Sequence, residues 1–169
     1  DAALGLGNGE LRAAERTYHT LLHVSGRAGR EASKGNAMLQ SYMPDHPVLQ
    51  ALIAGERDLF FEREAEMRSQ SGMPPFGRLA GLVLSGQDLA TLSHFARDLA
   101  AVIPTSDEVR VLGPAPAPIA RIRNRYRLRF LVKAGKQAKV QQFIALWLSK
   151  IKIPSQIRVT IDIDPYSFL

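Results

Sequence analysis

The sequence predicts an α+β chain, a mainly helical N-terminal stretch followed by a ferredoxin-like βαββαβ domain with an antiparallel sheet. Three observations predict it. Apolar residues recur at helical spacing as far as Pro74-Pro75, and the period then changes to strand-like runs. Beyond residue 78 six segments follow in the order strand, helix, strand, strand, helix, strand, the split-βαβ arrangement. Such an order places both helices on one face of the sheet and leaves the other face available.

Residues 11–25 hold Ala14, Tyr18, Leu21, Leu22 and Val24 at near-helical spacing, and Gly26 and Gly29 then break the pattern. A short strand is expected over 36–42, closed by the turn Pro44-Asp45-His46-Pro47. Two helices follow, over 47–54 and 56–71. Gly72 is placed as the C′ glycine of the second, ahead of the prolines that mark the domain boundary.

In the second part, 78–85 reads as a strand and 88–103 as a helix. Asp88 is its N-cap, with Leu89, Leu92, Phe95, Ala96, Leu99 and Ile103 on one face. Residues 109–112 and 117–122 form a strand interrupted by Gly113-Pro114-Ala115-Pro116. A strand over 126–133, a helix over 136–150 and a strand over 156–163 complete the order. Trp147, Phe143 and Phe130 fall at core positions and are read as packing; Tyr126 is better placed for a polar edge contact.

A chain of 169 residues has room for one ordinary domain, or for a domain and a piece of another. With 46% hydrophobic and 22% charged residues it has the balance of a folding chain and not of a disordered tail. Zero cysteines exclude disulfides and thiolate metal sites within these residues, and His19, His23, His46 and His94 lack metal-ligand spacing, so no bound metal is expected. No apolar run approaches the roughly 18 residues that span a bilayer, and the N-terminus lacks a signal-peptide pattern, so a cytoplasmic protein is expected. The net charge of +6 is uneven. Residues 1–104 carry ten Lys/Arg against twelve Asp/Glu, and residues 105–169 carry twelve against four. A basic second part favours nucleic acid or another polyanion.

The string His23-Val24-Ser25-Gly26-Arg27-Ala28-Gly29-Arg30 sets two arginines three apart in a glycine-rich backbone at a helix end. Two planar guanidinium groups in such a setting can converge on a triphosphate, and the glycines allow close approach. Taken alone, the five residues GRAGR also suit a solvated helix terminus whose arginines complement the dipole. The longer run from Arg12-Ala13-Ala14-Glu15-Arg16 through Arg30 resembles the last motif of superfamily 2 helicases in the form used by the primosomal replication-restart DNA helicases, with core Gln-x-x-Gly-Arg-x-Gly-Arg. Further matches are Leu39-Gln40-Ser41-Tyr42 with Pro44-Asp45-His46-Pro47-Val48, Glu62-Arg63-Glu64, Pro74-Pro75-Phe76-Gly77-Arg78, Leu112 to Pro118, and Asp162-Ile163-Asp164-Pro165. One departure is His23, which stands where the family has glutamine and whose charge depends on pH.

The resemblance implies that 1–45 is the end of an incomplete second helicase lobe, 46–77 a helical connector and 78–169 a C-terminal domain for DNA and protein contacts. It implies an ATP-dependent 3′-to-5′ helicase acting in replication restart and primosome assembly. Arg27 and Arg30 would be the arginine fingers on the ATP γ-phosphate, with His23, Gly26 and Gly29 beside the nucleotide. This chain has no G-x-x-x-x-G-K-[ST] loop, no acidic Mg²⁺ box and no cysteine cluster. The resemblance therefore implies that ATP, Mg²⁺ and zinc belong to segments before Asp1 and that the chain alone does not hydrolyse ATP. Implied partners are DNA forks, single-stranded DNA, other primosome proteins and the acidic C-terminal tail of single-stranded-DNA-binding protein, for which Lys136, Lys139 and Gln141 are candidate contacts.

Residues 121–133 carry five arginines and a lysine with no acid. Strand alternation sets Tyr126, Leu128, Phe130 and Val132 on one face and Arg127, Arg129 and Lys133 on the other. A three-residue loop over 123–125 is expected, pairing Ile122 with Tyr126 and leaving Arg121 beside Arg127 and Arg129, with Asn124 left-handed. The candidate DNA-binding residues are Arg121, Arg123, Arg125, Arg127, Arg129 and Lys133. The bland reading is an amphipathic strand whose polar side happens to be arginine; six cations without an acid favour nucleic acid. The rival for the whole chain is a non-enzymatic RNA- or DNA-binding module of ferredoxin-like fold, which leaves the arginine motif unexplained.

Overall fold

The computed structural model describes residues 12–27 and 36–165. The chain divides into two compact units, 1–67 and 68–169.

In the first unit, α1 (Ala13–Arg27) begins with an acid, Glu15, and ends with a base, Arg27, which suits the helix dipole. It continues through Gly26, where the sequence predicted a break. Tyr18 is buried and stacks on Phe60, their ring centroids 4.6 Å apart and nearly parallel. Val48 and Ala51 of α2 (Pro47–Ala54) close this small core, with Phe60 from α3 (Arg57–Gln70). Residues 46–67 thus pack with α1 in one unit, where the sequence suggested a separate connector. Pro47 sits at the start of α2, the His46 imidazole accepts from the Val48 N–H at 3.3 Å, and Gly55 ends the helix at φ 71°. Leu22 and Val24 remain exposed, at 41% and 60%.

One expected element is not a strand. Among the described residues nothing pairs with 36–42, and Met38 and Tyr42 are each 92% exposed. Without a ladder partner the extended backbone has no hydrogen bonds to hold it as a strand.

The second unit has the expected order: β1 (Gly77–Gly86), α4 (Leu89–Ala101), β2 (Val109–Ile122), β3 (Arg125–Gly135), α5 (Val140–Ser149) and β4 (Arg158–Ile163). The sheet runs β2-β3-β1-β4 with every neighbouring pair antiparallel, the ferredoxin-like arrangement. Leu82 and Leu84 of β1 and Phe130 and Val132 of β3 meet Leu92, Phe95 and Leu99 of α4 and Ile144 and Trp147 of α5. Trp147 is fully buried, packs edge-on against Phe130 at 5.2 Å, and donates its indole N–H to the Leu99 carbonyl at 2.8 Å. Both helices therefore cover one face. Asp88 caps α4 as expected, accepting from the Thr91 N–H at 2.7 Å, whereas Leu89 is 46% exposed and lies off the packed stripe.

Two boundaries differ most. Residues 109–122 form one strand with shifts of register, where an interruption was expected. Gly113 carries the first shift at φ 116°, and a Cβ there would lie 2.7 Å from the Arg129 carbonyl oxygen, closer than any side chain tolerates. Helix α5 starts at Val140 and not at 136, because 135–139 turns back on itself with the Ala138 N–H bonded to the Gly135 carbonyl. At the other end of the sheet Arg78 and Asp164 pair at 2.6 Å, and the backbones of Asp164 and Leu79 bond at 2.7 Å, clipping β4 to β1.

Candidate nucleic-acid interface

The hairpin between β2 and β3 turns on two residues, Arg123 and Asn124, at φ 48° and 60°. This is the type I′ geometry whose twist matches the flanking strands. Ile122 pairs with Arg125 and Arg121 with Tyr126, which corrects the expected three-residue loop; the left-handed Asn124 stands as expected. The tight turn sets Arg121 on the Tyr126 face, and the chain accommodates it. The Arg121 guanidinium lies over the Tyr126 ring at 4.9 Å and bonds to the Asn124 side-chain oxygen. Between Pro116–Leu128 and Arg121–Tyr126 the strand β2 advances five residues while β3 advances two. That bulge absorbs the mismatch within β2, while the unshifted pairing of β3 with β1 keeps Arg127 and Arg129 facing away from the helices.

The face without helices is organised in rows across three strands. Arg127, Ser85 and Arg158 form one row, Arg129, Val83 and Thr160 the next, and Leu131, Gly81 and Asp162 the third. Short residues on the middle strand and long ones on its neighbours make a trough of about 320 Å³. Its walls stand two strand spacings apart, roughly 10 Å. Arg123 and Ile122 of the hairpin and Pro165 also line it.

The six cations singled out in the sequence do not act alike. Arg127 and Arg129 stand in the wall of the trough, with one Arg127 nitrogen bonded to the Ile119 carbonyl at 3.3 Å. Arg123 is at the tip. Arg125 also lines the trough, and its Nη2 donates to the carbonyls of Ser85 at 2.8 Å and Gln156 at 3.2 Å. Arg121 belongs to the opposite face, beside Tyr126. Lys133 donates to the Ser71 carbonyl just beyond α3, in a second hollow that it shares with Asp107 and Glu108. Sequence reasoning missed Arg158 and Thr160. Their signal was the alternation in Arg158-Val159-Thr160-Ile161-Asp162-Ile163, which needed only the strand order to place its polar side in the trough.

The other candidates lie elsewhere. His23, Gly26 and Arg27 are exposed on the last turns of α1, and a side chain at Gly26 would meet open space. Gly29 and Arg30 fall outside the described residues. Lys136, Lys139 and Gln141 are exposed near the start of α5, at the Gly135 end of β3, roughly 30 Å along the strand from the hairpin. Among the described residues no cluster of His, Cys, Asp or Glu could hold a metal, and no helix is long and apolar enough to cross a membrane.

Residues 69–166 match the family model described as the primosomal protein N C-terminal domain. Over 168 residues the chain is 45% identical to the replication restart protein PriA of Rickettsia conorii, covering 99% of this chain and 26% of that protein. It is 38% identical over 164 residues to replication restart protein PriA of Synechocystis, covering 94% of this chain and 19% of the relative. Against the protein of that name in Bacillus subtilis it is 28% identical over 165 residues, with 95% and 20% covered. The chain spans about a quarter of the length of the relatives it matches best among these.

Proposed function

Since the chain belongs to the PriA family of replication restart proteins, we propose that its open sheet face holds the sugar–phosphate backbone of single-stranded or forked DNA, as part of an ATP-dependent 3′-to-5′ DNA helicase. The observation that carries this is the trough walled by Arg127, Arg129 and Arg158. Its width of roughly 10 Å takes one nucleic-acid strand lying along β1 between the two walls and is too narrow for a duplex. Phosphates contacted by arginine without base readout give affinity without sequence preference. The middle row supports the same reading, since Thr160 adds a hydroxyl donor opposite Arg129.

Membership of the family supports extending this reading to the longer protein. On this reading ATP and Mg²⁺ act in the longer protein, in the cytoplasm where replication forks are. Arg27 and Arg30 serve as its arginine fingers, with His23, Gly26 and Gly29 alongside. The exposure of Arg27 at the end of α1 fits a guanidinium that reaches a phosphate. Zinc has no donor cluster among the described residues, and on this reading it belongs to the longer protein. Lys136, Lys139 and Gln141 form an exposed basic end, remote from the trough, that suits the acidic tail of single-stranded-DNA-binding protein.

The test is binding of the chain to single-stranded and forked oligonucleotides, followed by fluorescence anisotropy across a salt series. Arg127→Glu/Arg129→Glu should weaken binding at low salt and make the salt slope shallower by about 0.7 for each phosphate contact removed. Unchanged affinity in that variant, with its circular dichroism spectrum intact, would sink the reading.

A further inference from the structure

Between Glu108 and Asp162 the chain has twelve Lys/Arg and no acidic residue. Asp162 ends that run, and it does so inside the trough. It stands in the third row, opposite Leu131 across Gly81, two residues along β4 from Thr160. Its carboxylate is exposed and has neither an ion pair nor a hydrogen bond among the described residues. The Arg127 and Arg158 row lies at the hairpin end, so charge changes sign over four residues of strand, roughly 13 Å. The floor changes too. Gly81 contributes no side chain, and Val83 and Leu131 give the Asp162 end an apolar bed.

We propose that Asp162 is a specificity-determining residue that gives the trough a direction, with phosphates held at the Arg127, Arg129 and Arg158 end and bases turned toward Val83, Leu131 and Asp162. The inference rests on the nucleic-acid reading above. A phosphate that slid one row toward Gly81 from the Arg129–Thr160 row would leave its arginine and face the Asp162 carboxylate, a repulsive pair. A base in that position brings N–H donors to an acceptor, and its flat apolar face suits Val83 and Leu131 better than a hydrated phosphate does. Asp162 thereby stops the phosphate track and fixes which way round a strand lies.

The full chain should be titrated with a fluorescein-labelled oligothymidylate and with inorganic polyphosphate, which offers a phosphate track without bases. Asp162→Asn should tighten polyphosphate binding by on the order of fivefold and oligothymidylate binding by less, because the lost acceptor offsets the lost repulsion. Asp162→Lys should steepen the polyphosphate salt slope by about 0.7. Asp98→Asn removes the same charge from α4, on the covered side of the sheet, and should change neither. If Asp98→Asn tightens binding as much as Asp162→Asn, net charge is responsible and the proposal fails. Equal tightening of both ligands by Asp162→Asn also overturns it. Loss of binding in Arg127→Glu/Arg129→Glu with no response to Asp162→Asn refutes the direction of the trough and leaves the DNA-binding reading standing. No loss in the double variant refutes both.

Discussion

Arg125 separates two meanings of a basic hairpin. An arginine whose Nη2 donates to the carbonyls of Ser85 and Gln156 holds the hairpin against the end of β1 and the entry to β4, so its position is tied to the backbone even though it lines the trough. Arg129 has no hydrogen bond or ion pair among the described residues and stands in the trough wall. Arg125→Ala should therefore lower the melting temperature more than it flattens the salt slope of DNA binding, and Arg129→Ala should do the reverse, flattening the slope by about 0.7. Thermal melts and salt titrations on the two variants check this; a slope that falls equally in both would make Arg125 a phosphate contact. Sequence alone showed that cations cluster here, because strings such as Arg127-Leu128-Arg129 alternate. It could not divide them, since Arg121 parts from Arg127 only through the turn type and a bulge, and Lys133 is drawn off by a carbonyl 62 positions away.

Elements with local causes were legible and elements with distant causes were not. Helix α4 was readable from Asp88 and the spacing of Leu92, Phe95, Ala96 and Leu99, all nearest-neighbour effects. The strand expected over 36–42 failed because a strand exists only with its partner. Strand β2 looked broken because prolines at 114, 116 and 118 cannot donate to a ladder; it lies at the sheet edge, where donors on one side have nothing to meet. The cap of α4 also makes a pH prediction. Hydrogen bonds from Thr91 hold the Asp88 carboxyl below the usual carboxylate range. A folded-state value below the unfolded one means that the stabilisation is fully present above the unfolded value and is lost as pH falls through the folded one. Asp88→Ala should thus melt at lower temperature than the parent at neutral pH, and the two curves should converge in strong acid. A difference that persists undiminished at about pH 2 would locate the effect in packing instead of the ionised cap.

Over the whole chain, charge and stability are both distributed between parts. The net +6 is the sum of −2 over residues 1–104 and +8 over residues 105–169, so long-range attraction for a polyanion centres on the sheet unit. That unit also has the larger core. Among the described residues, fifteen buried ones from two strands, two helices and adjoining loops form one cluster, whereas the first unit's cluster consists of Tyr18, Val48, Ala51 and Phe60. Buried apolar area sets how much free energy is needed to open a region, so amide exchange should follow the same division. Amides of β1 and β3, the two interior strands, should exchange slowest, and those of α1 and α2 at least about tenfold faster, equivalent to about 1.4 kcal/mol less opening free energy. Hydrogen–deuterium exchange with mass spectrometry on the full chain reads this directly. Added oligonucleotide should then slow exchange in β3 and β4, which carry the trough's arginines, and leave α1 unchanged. Uniform protection across both units would show a single cooperative structure, and slowing confined to the start of α5 would move the DNA contact from the arginine rows to Lys136 and Lys139.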